Sequence, residues 1–182
     1  MASPTSELEP LGATQRLTLA AMFIAIAVVV SRIPAPFPPP FGGWLKFDGF
    51  PLILSGLMLG PGSGFMVGGL ADLLGYMLHA TGGYNPAFSL TRALTASIPA
   101  LVLGRRSPNF PWLLLAIGVG QMLTKALLIP IIRLKMYGFP PLLLSVPHAL
   151  QEEAFHTVLY AWLALPLLRA WTRYRHNPQA YS

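Results

Sequence analysis

The chain has 182 residues, of which 54% are hydrophobic and only 10% charged, with a mean hydropathy of +0.58. A soluble domain carries about 25% charged residues, so this composition points to a membrane protein, and the absence of cysteine excludes disulfides, thiolate nucleophiles and cysteine-ligated metals. The net charge of +6 comes from twelve cations scattered among apolar runs, which does not make the dense basic stripe of a nucleic-acid binder.

Residues 1–15 are polar and hold Pro4, Pro10, Glu7 and Glu9, a composition that predicts a disordered tail. The apolar run after Arg16 lacks a small-residue cleavage site and is expected to stay in the mature protein. Glycine and proline then divide the chain into six apolar segments. The first covers about Leu17 to Ile33 and stops at Pro34, where five prolines between Pro34 and Phe41 forbid a helix. The second, about Phe47 to Leu59, is short for a span and closes at Gly60-Pro61. The third runs from about Gly64 to His79 and ends before Gly82-Gly83. The fourth follows Asn85-Pro86 and reaches Gly104, with Pro99 as a kink. The fifth extends from Trp112 to about Leu134, with Pro130 near its end, and the sixth from about Pro147 to Trp171. At about 20 residues per spanning helix, the expected fold class is all-α: a polytopic membrane protein with six transmembrane helices over residues 16–172 and a basic tail at 173–182.

Orientation follows from the cations. A cytoplasmic N-terminus puts Arg16, Arg105, Arg106, Arg169, Arg173 and Arg175 inside and leaves Arg32, Lys46, Arg133 and Lys135 outside. Both termini are therefore expected in the cytoplasm of a plasma-membrane protein. The outer loops are then the long ones, rich in Pro and Gly, and a ligand cavity is expected to face outward.

Three charges fall at membrane depth: Asp72, Arg92 and Lys125. Each costs about 2.5 to 3.5 kcal/mol on insertion scales if unpaired, so Asp72 is expected to pair with Arg92 or Lys125. Arg32 and Lys46 join Arg92 and Lys125 around the outer half, a set that would attract a carboxylate or phosphate. Trp44, Phe37, Phe41, Phe47 and Phe50 lie nearby in sequence and would supply stacking area for a flat ring. His148, Glu152 and His156 share one helical face. Such a face splays its ligands, so no metal site is expected; it reads as a polar cavity wall, in which Glu152 could accept paired donors from an amino-pyrimidine edge. Ala21 and Ala25, widened by Ala20 and Ala27, make a small-residue strip that lets another helix approach.

Two stretches carry a family resemblance. Gly62-Ser-Gly-Phe-Met-Val-Gly-Gly-Leu-Ala-Asp-Leu-Leu-Gly-Tyr-Met-Leu, followed by Gly82-Gly-Tyr-Asn-Pro-Ala-Phe-Ser-Leu-Thr-Arg-Ala-Leu, resembles the substrate-binding S components of energy-coupling factor vitamin transporters. The Pro-Pro-Phe-Gly-Gly-x-Leu-Lys pattern at Pro39 to Lys46 resembles their folate branch. The resemblance covers roughly residues 17 to 170. It implies a six-helix protein that binds a vitamin in an outward cavity, docks through Ala21 and Ala25 on a transmembrane T component, and is energised by two cytoplasmic ATPase subunits.

On this reading the substrate contacts are Arg32, Trp44, Lys46, Tyr84, Asn85, Phe88, Arg92, Lys125 and Glu152. The protein is not an enzyme and needs no cofactor. It lacks a Gly-x-x-x-x-Gly-Lys-Ser/Thr phosphate loop. Asn85 and Arg92 depart from the folate-branch pattern, so S components for pantothenate, riboflavin or a queuosine precursor stay open. An intramembrane hydrolase built on Glu152, Glu153 and His156 is a rival from another class, although Thr157 stands where the Glu-Glu-x-x-x-Arg motif of membrane proteases has its arginine.

Overall fold

A computed structural model describes residues 11–33, 35–36, 44–45, 47–79, 83–104, 106–137 and 140–176. Of the expected tails at 1–15 and 173–182, residues 1–10 and 177–182 lie outside the described residues, while Ala13 to Gln15 and Arg173 to His176 are helical. The helices are α1 (Ala13–Val30), α2 (Gly49–Leu59), α3 (Pro61–Leu78), α4 (Pro86–Leu103), α5 (Phe110–Gln121), α6 (Ile129–Tyr137) and α7 (Pro140–His176). A π-helical stretch, Met122–Leu128, joins α5 to α6, and the three form one continuous rod, so the described helices group into six rods. The first starts at Ala13, ahead of the expected Leu17, and the last runs from Pro140 through His176, beyond both expected ends.

The rods Ala13–Val30, Pro86–Leu103 and Phe110–Met136 are long and apolar enough to cross a membrane. Helix α2 has only 11 residues, but eight of them are buried and it is wrapped by α1, α3, α4 and α7. Its short length matters less than its position at the centre of the bundle. The proline-rich segment between α1 and α2 contributes a two-residue antiparallel pairing, Ala35 with Leu45 and Pro36 with Trp44. This pairing is the departure from a purely helical fold among the described residues.

Local chemistry fixes the links. Helices α2 and α3 are joined by Gly60 alone, at φ 95°, a left-handed backbone that glycine adopts without a Cβ penalty. Pro61 then starts α3, where a helix needs no N–H from its first residue. Asn85 caps α4, its Oδ1 accepting from the Ala87 N–H at 3.0 Å. In the fifth rod Pro130 has no N–H to offer the carbonyl of Ala126, and the widened π turns end just before it.

The core has two adjoining parts. One gathers Ile53, Leu113, Ile117 and Tyr160 from α2, α5 and α7, and the other Ala27, Leu52, Val67 and Ala96 from α1 to α4. Helices α3 and α4 come closest at Gly68, where an added Cβ would lie 2.5 Å from the Arg92 carbonyl oxygen and 2.7 Å from the Ala93 Cα. Only a residue without a side chain permits this approach. Gly68→Val is therefore expected to lower the melting midpoint of the detergent-purified protein by about 5 °C, from an overpacking cost of about 1–3 kcal/mol. Gly69→Ala, whose added carbon would meet only the Ala93 Cβ at 3.9 Å, should leave it unchanged.

A charged cavity at the Asp48 end of the bundle

The approach at Gly68 determines what lies one turn further along α3. Asp72 is four residues on, on the same face, and its Oδ1 sits 3.0 Å from Arg92 Nε. The same guanidinium reaches Asp48, just ahead of α2, with Nη2 at 2.6 Å from Oδ2. Asp72 Oδ2 accepts from the Ser89 hydroxyl, and Ser89 Oγ lies 2.8 Å from the Tyr84 hydroxyl. Since the single Ser89 hydrogen is engaged by the carboxylate, Tyr84 donates. A continuous chain thus runs from Tyr84 through Ser89, Asp72 and Arg92 to Asp48, tying α2, α3 and α4 together.

A second pair lies deeper. Lys125 Nζ meets Glu153 Oε1 at 3.1 Å. Lys125 belongs to the π-helical stretch, about 18 Å from the end of the rod at Tyr137. Of the two partners expected for Asp72, Arg92 is the one observed, and Lys125 is taken by α7. Below them Thr95 donates to Thr124 at 2.9 Å, and Thr124 donates to the Gly120 carbonyl at 2.7 Å. These bonds satisfy the hydroxyls of Thr95, which lines the cavity, and of the buried Thr124 behind it.

Between the two ion-pair sets is a cavity of about 360 Å³, within the range of small-molecule sites. It is lined by Asp48, Gly49 and Leu52 of the second rod, Asp72, Phe88, Thr91, Arg92 and Thr95 of the next two, Lys125, Ile129 and Arg133 of the fifth, and Glu152, Glu153 and His156 of α7. The His156 and Tyr160 rings meet at a tilt with centroids 5.4 Å apart, and so do Tyr160 and Phe50 at 5.6 Å. A second cavity of about 450 Å³ adjoins it and shares Asp72, Phe88 and Arg92. Its remaining wall includes Arg32, Tyr76, His79, Tyr84 and Asn85. There Arg32 donates to the Gly75 carbonyl, and the Tyr76 and Tyr84 rings lie 5.0 Å apart.

Residues 15–170 match the family described as the ECF transporter substrate-specific component. The chain belongs to that family. Among its relatives is the folate transporter FolT of Clostridium novyi (strain NT), 29% identical over 99 residues, which is 54% of this chain and 56% of that protein. Two solved structures share the fold of this ECF component. A FolT bound with folic acid aligns with a TM-score of 0.68 at 23% identity over 84% of this chain and 94% of that one. The S component of a bacterial ECF transporter aligns with a TM-score of 0.60 at 20% identity over 90% and 98%. The protein is thus a multi-pass membrane component of a transporter.

The residues singled out in the sequence divide in the ECF fold. Phe88, Arg92, Lys125 and Glu152 line the first cavity, whereas Arg32, Tyr84 and Asn85 line the second. Asn85 is engaged as a helix cap and also donates to Met136 Sδ at 3.2 Å. Lys46 and the side chains of Trp44 and His148 lie outside the described residues. Ala21 and Ala25 lie on the exposed side of α1, but Ala27 is buried in the core, so it does not widen their strip. No group of three metal-binding side chains occurs among the described residues.

Asp48, Glu153, Arg133 and His156 were absent from the expected substrate contacts. Asp48 stands directly before an apolar run, at the end of a predicted loop, and a carboxylate there is a natural partner for a cation in the next helices. Glu153 shares a face with His156 three residues on. Of the four cations expected around the outer half, Arg92 and Lys125 are both engaged by carboxylates. A double-mutant cycle on Arg92→Leu and Asp72→Asn, read by melting in detergent, is expected to give a coupling above about 1 kcal/mol, the single arginine variant being the less stable of the two because it leaves Asp48 and Asp72 uncompensated.

Proposed function

We propose that this protein captures a vitamin from outside the cell, with folate or a related compound as the first choice, and delivers it to an ATP-driven importer. The observation that carries the reading is the cavity between Arg92 and Lys125, built on a fold shared with a FolT that holds folic acid. The named relative from Clostridium novyi supports the same substrate. Pantothenate, riboflavin and a queuosine precursor are the alternatives within the family.

In this reading both termini are cytoplasmic and the Asp48 end of the bundle faces outward. The ligand ring enters beside Phe88, and its acidic end, where it has one, lies toward Arg32 in the adjoining cavity. Lys46 and Trp44 are further proposed contacts, carried by the family resemblance alone. The exposed Ala21 and Ala25 of α1 dock on a transmembrane T component, and two ATPase subunits supply the energy. The protein itself is a carrier and not a hydrolase. The Glu153 carboxylate that a protease would need is held by Lys125 at 3.1 Å, and the cavity presents the mixed polar and aromatic lining of a binding site.

Calorimetric titration of the detergent-purified chain with folic acid, pantothenate, riboflavin and 7-deazaguanine-type bases tests the reading; saturable binding of one is expected, and silence toward all of them refutes it. Ala21→Trp should leave that affinity within about twofold while abolishing uptake in cells carrying the whole transporter, because the bulky ring blocks a close helix contact. Normal uptake by this variant would remove Ala21 from the docking face.

A further inference from the structure

We propose that the face of α7 carrying Arg169 and Arg173 is a headgroup site for an anionic phospholipid: the two guanidiniums hold the phosphate, and an acyl chain lies along Trp162 and Pro166. This site is at the Gly60 end of the bundle, away from the charged cavity, and does not depend on which vitamin is carried.

Charge segregation is the first ground. The described residues include four carboxylates, Asp48, Asp72, Glu152 and Glu153, and all of them line the charged cavity. None is left for the arginines of the Gly60 end. Two of these find other partners: Arg16 donates to the Leu59 carbonyl at 2.9 Å, and Arg106 lies 3.9 Å over the Trp112 ring. Arg169 and Arg173 are exposed and make no ion pair among the described residues. Their compensation must come from outside the described chain.

The shape of the face says what kind of anion fits. Arg169 and Arg173 are four residues apart, one above the other on the same side of the helix. They line a groove of about 420 Å³ whose other walls, Trp162, Pro166 and Ala170 among them, are all apolar. Ala161, Ala164 and Leu168 of the same helix turn to the core, whereas Trp162 is 66% exposed, so the groove opens away from the bundle toward lipid. Helical rise puts Trp162 about 10 Å from Arg169 and about 17 Å from Arg173, against about 15 Å for the hydrocarbon depth of one leaflet. A phosphate held by the two arginines therefore lays the first half of its acyl chain along the apolar part. Guanidiniums bind phosphate oxygens in paired hydrogen bonds, and basic groups where a helix leaves the bilayer attract anionic lipids. A free phosphate would leave the apolar walls unused, and a choline headgroup would bring a third cation beside the arginines.

Native mass spectrometry of the detergent-purified full chain, titrated with phosphatidylglycerol and with phosphatidylcholine of the same acyl chains, tests the proposal. Phosphatidylglycerol is expected to be retained at least about tenfold more tightly than phosphatidylcholine, and the Arg169→Gln, Arg173→Gln double variant should lose that preference through the loss of charge-assisted hydrogen bonds. Lys135→Gln, which removes an exposed cation at the other end of the bundle, should leave it unchanged. Equal retention of the two lipids by the unaltered chain, or a preference that survives in the double variant, overturns the proposal. A surviving lipid preference combined with loss of the double variant from the assembled transporter assigns the face to a protein partner instead. Should the double variant not fold, the comparison of the two lipids on the unaltered chain and the two single variants decide.

Discussion

The Asp48 end of this bundle is held together by one guanidinium. Arg92 holds Asp48 at 2.6 Å and Asp72 at 3.0 Å, so a single side chain on α4 compensates carboxylates from two neighbouring rods. In a lipid environment a carboxylate without such a partner costs about 2.5 to 3.5 kcal/mol on insertion scales. The constraint behind the clamp is steric: α3 and α4 touch through backbone at Gly68, and this brings Asp72 within reach of Arg92 one turn away. Packing and charge compensation are thus two sides of one contact, and Asp72 and Arg92 both line the cavity beside it.

The second ion pair has a different origin. Lys125 is carried by a π-helical stretch immediately before Pro130, in a rod whose α-helical ladder that proline interrupts. Widened turns of this kind occur often at functional sites. Here the widening coincides with the residue that holds Glu153 of α7. The two pairs lie on opposite walls, so the space between them is polar on several sides while the helices outside remain apolar toward lipid.

Much of this was legible in the sequence because glycine and proline mark the rod ends. Gly60-Pro61 and Asn85-Pro86 stand at helix starts, and the described residues of the proline-rich region, Ala35–Pro36 and Trp44–Leu45, pair as extended strands. The depths of Asp72, Arg92 and Lys125 along their segments narrowed the partner of Asp72 to one of the two cations, and Arg92 is the one found. What the pattern did not disclose is the lateral arrangement of the rods. Asp48 and Glu153 become partners of Arg92 and Lys125 only once α2 and α7 pack beside them, and no spacing along one helix encodes that. The π-helical stretch was equally hidden, since Pro130 announces a disturbance without saying how the preceding turns absorb it. The turns of α7 ahead of the expected start at Pro147 were not anticipated; Pro140 and Pro141 fall in its first turn, where proline is compatible with a helix.

The one-residue link at Gly60 has a bearing on the order of assembly. Of the links between rods it is the shortest, and closing a short loop costs the least chain entropy. The α2–α3 hairpin is therefore the pair the chain can form most readily as it emerges from synthesis. That hairpin brings Asp48 and Asp72 into the membrane region together, and their shared counter-ion arrives only with the following rod. Until α4 inserts, the nascent hairpin carries two uncompensated charges, so its commitment to the bilayer waits on the segment synthesised next.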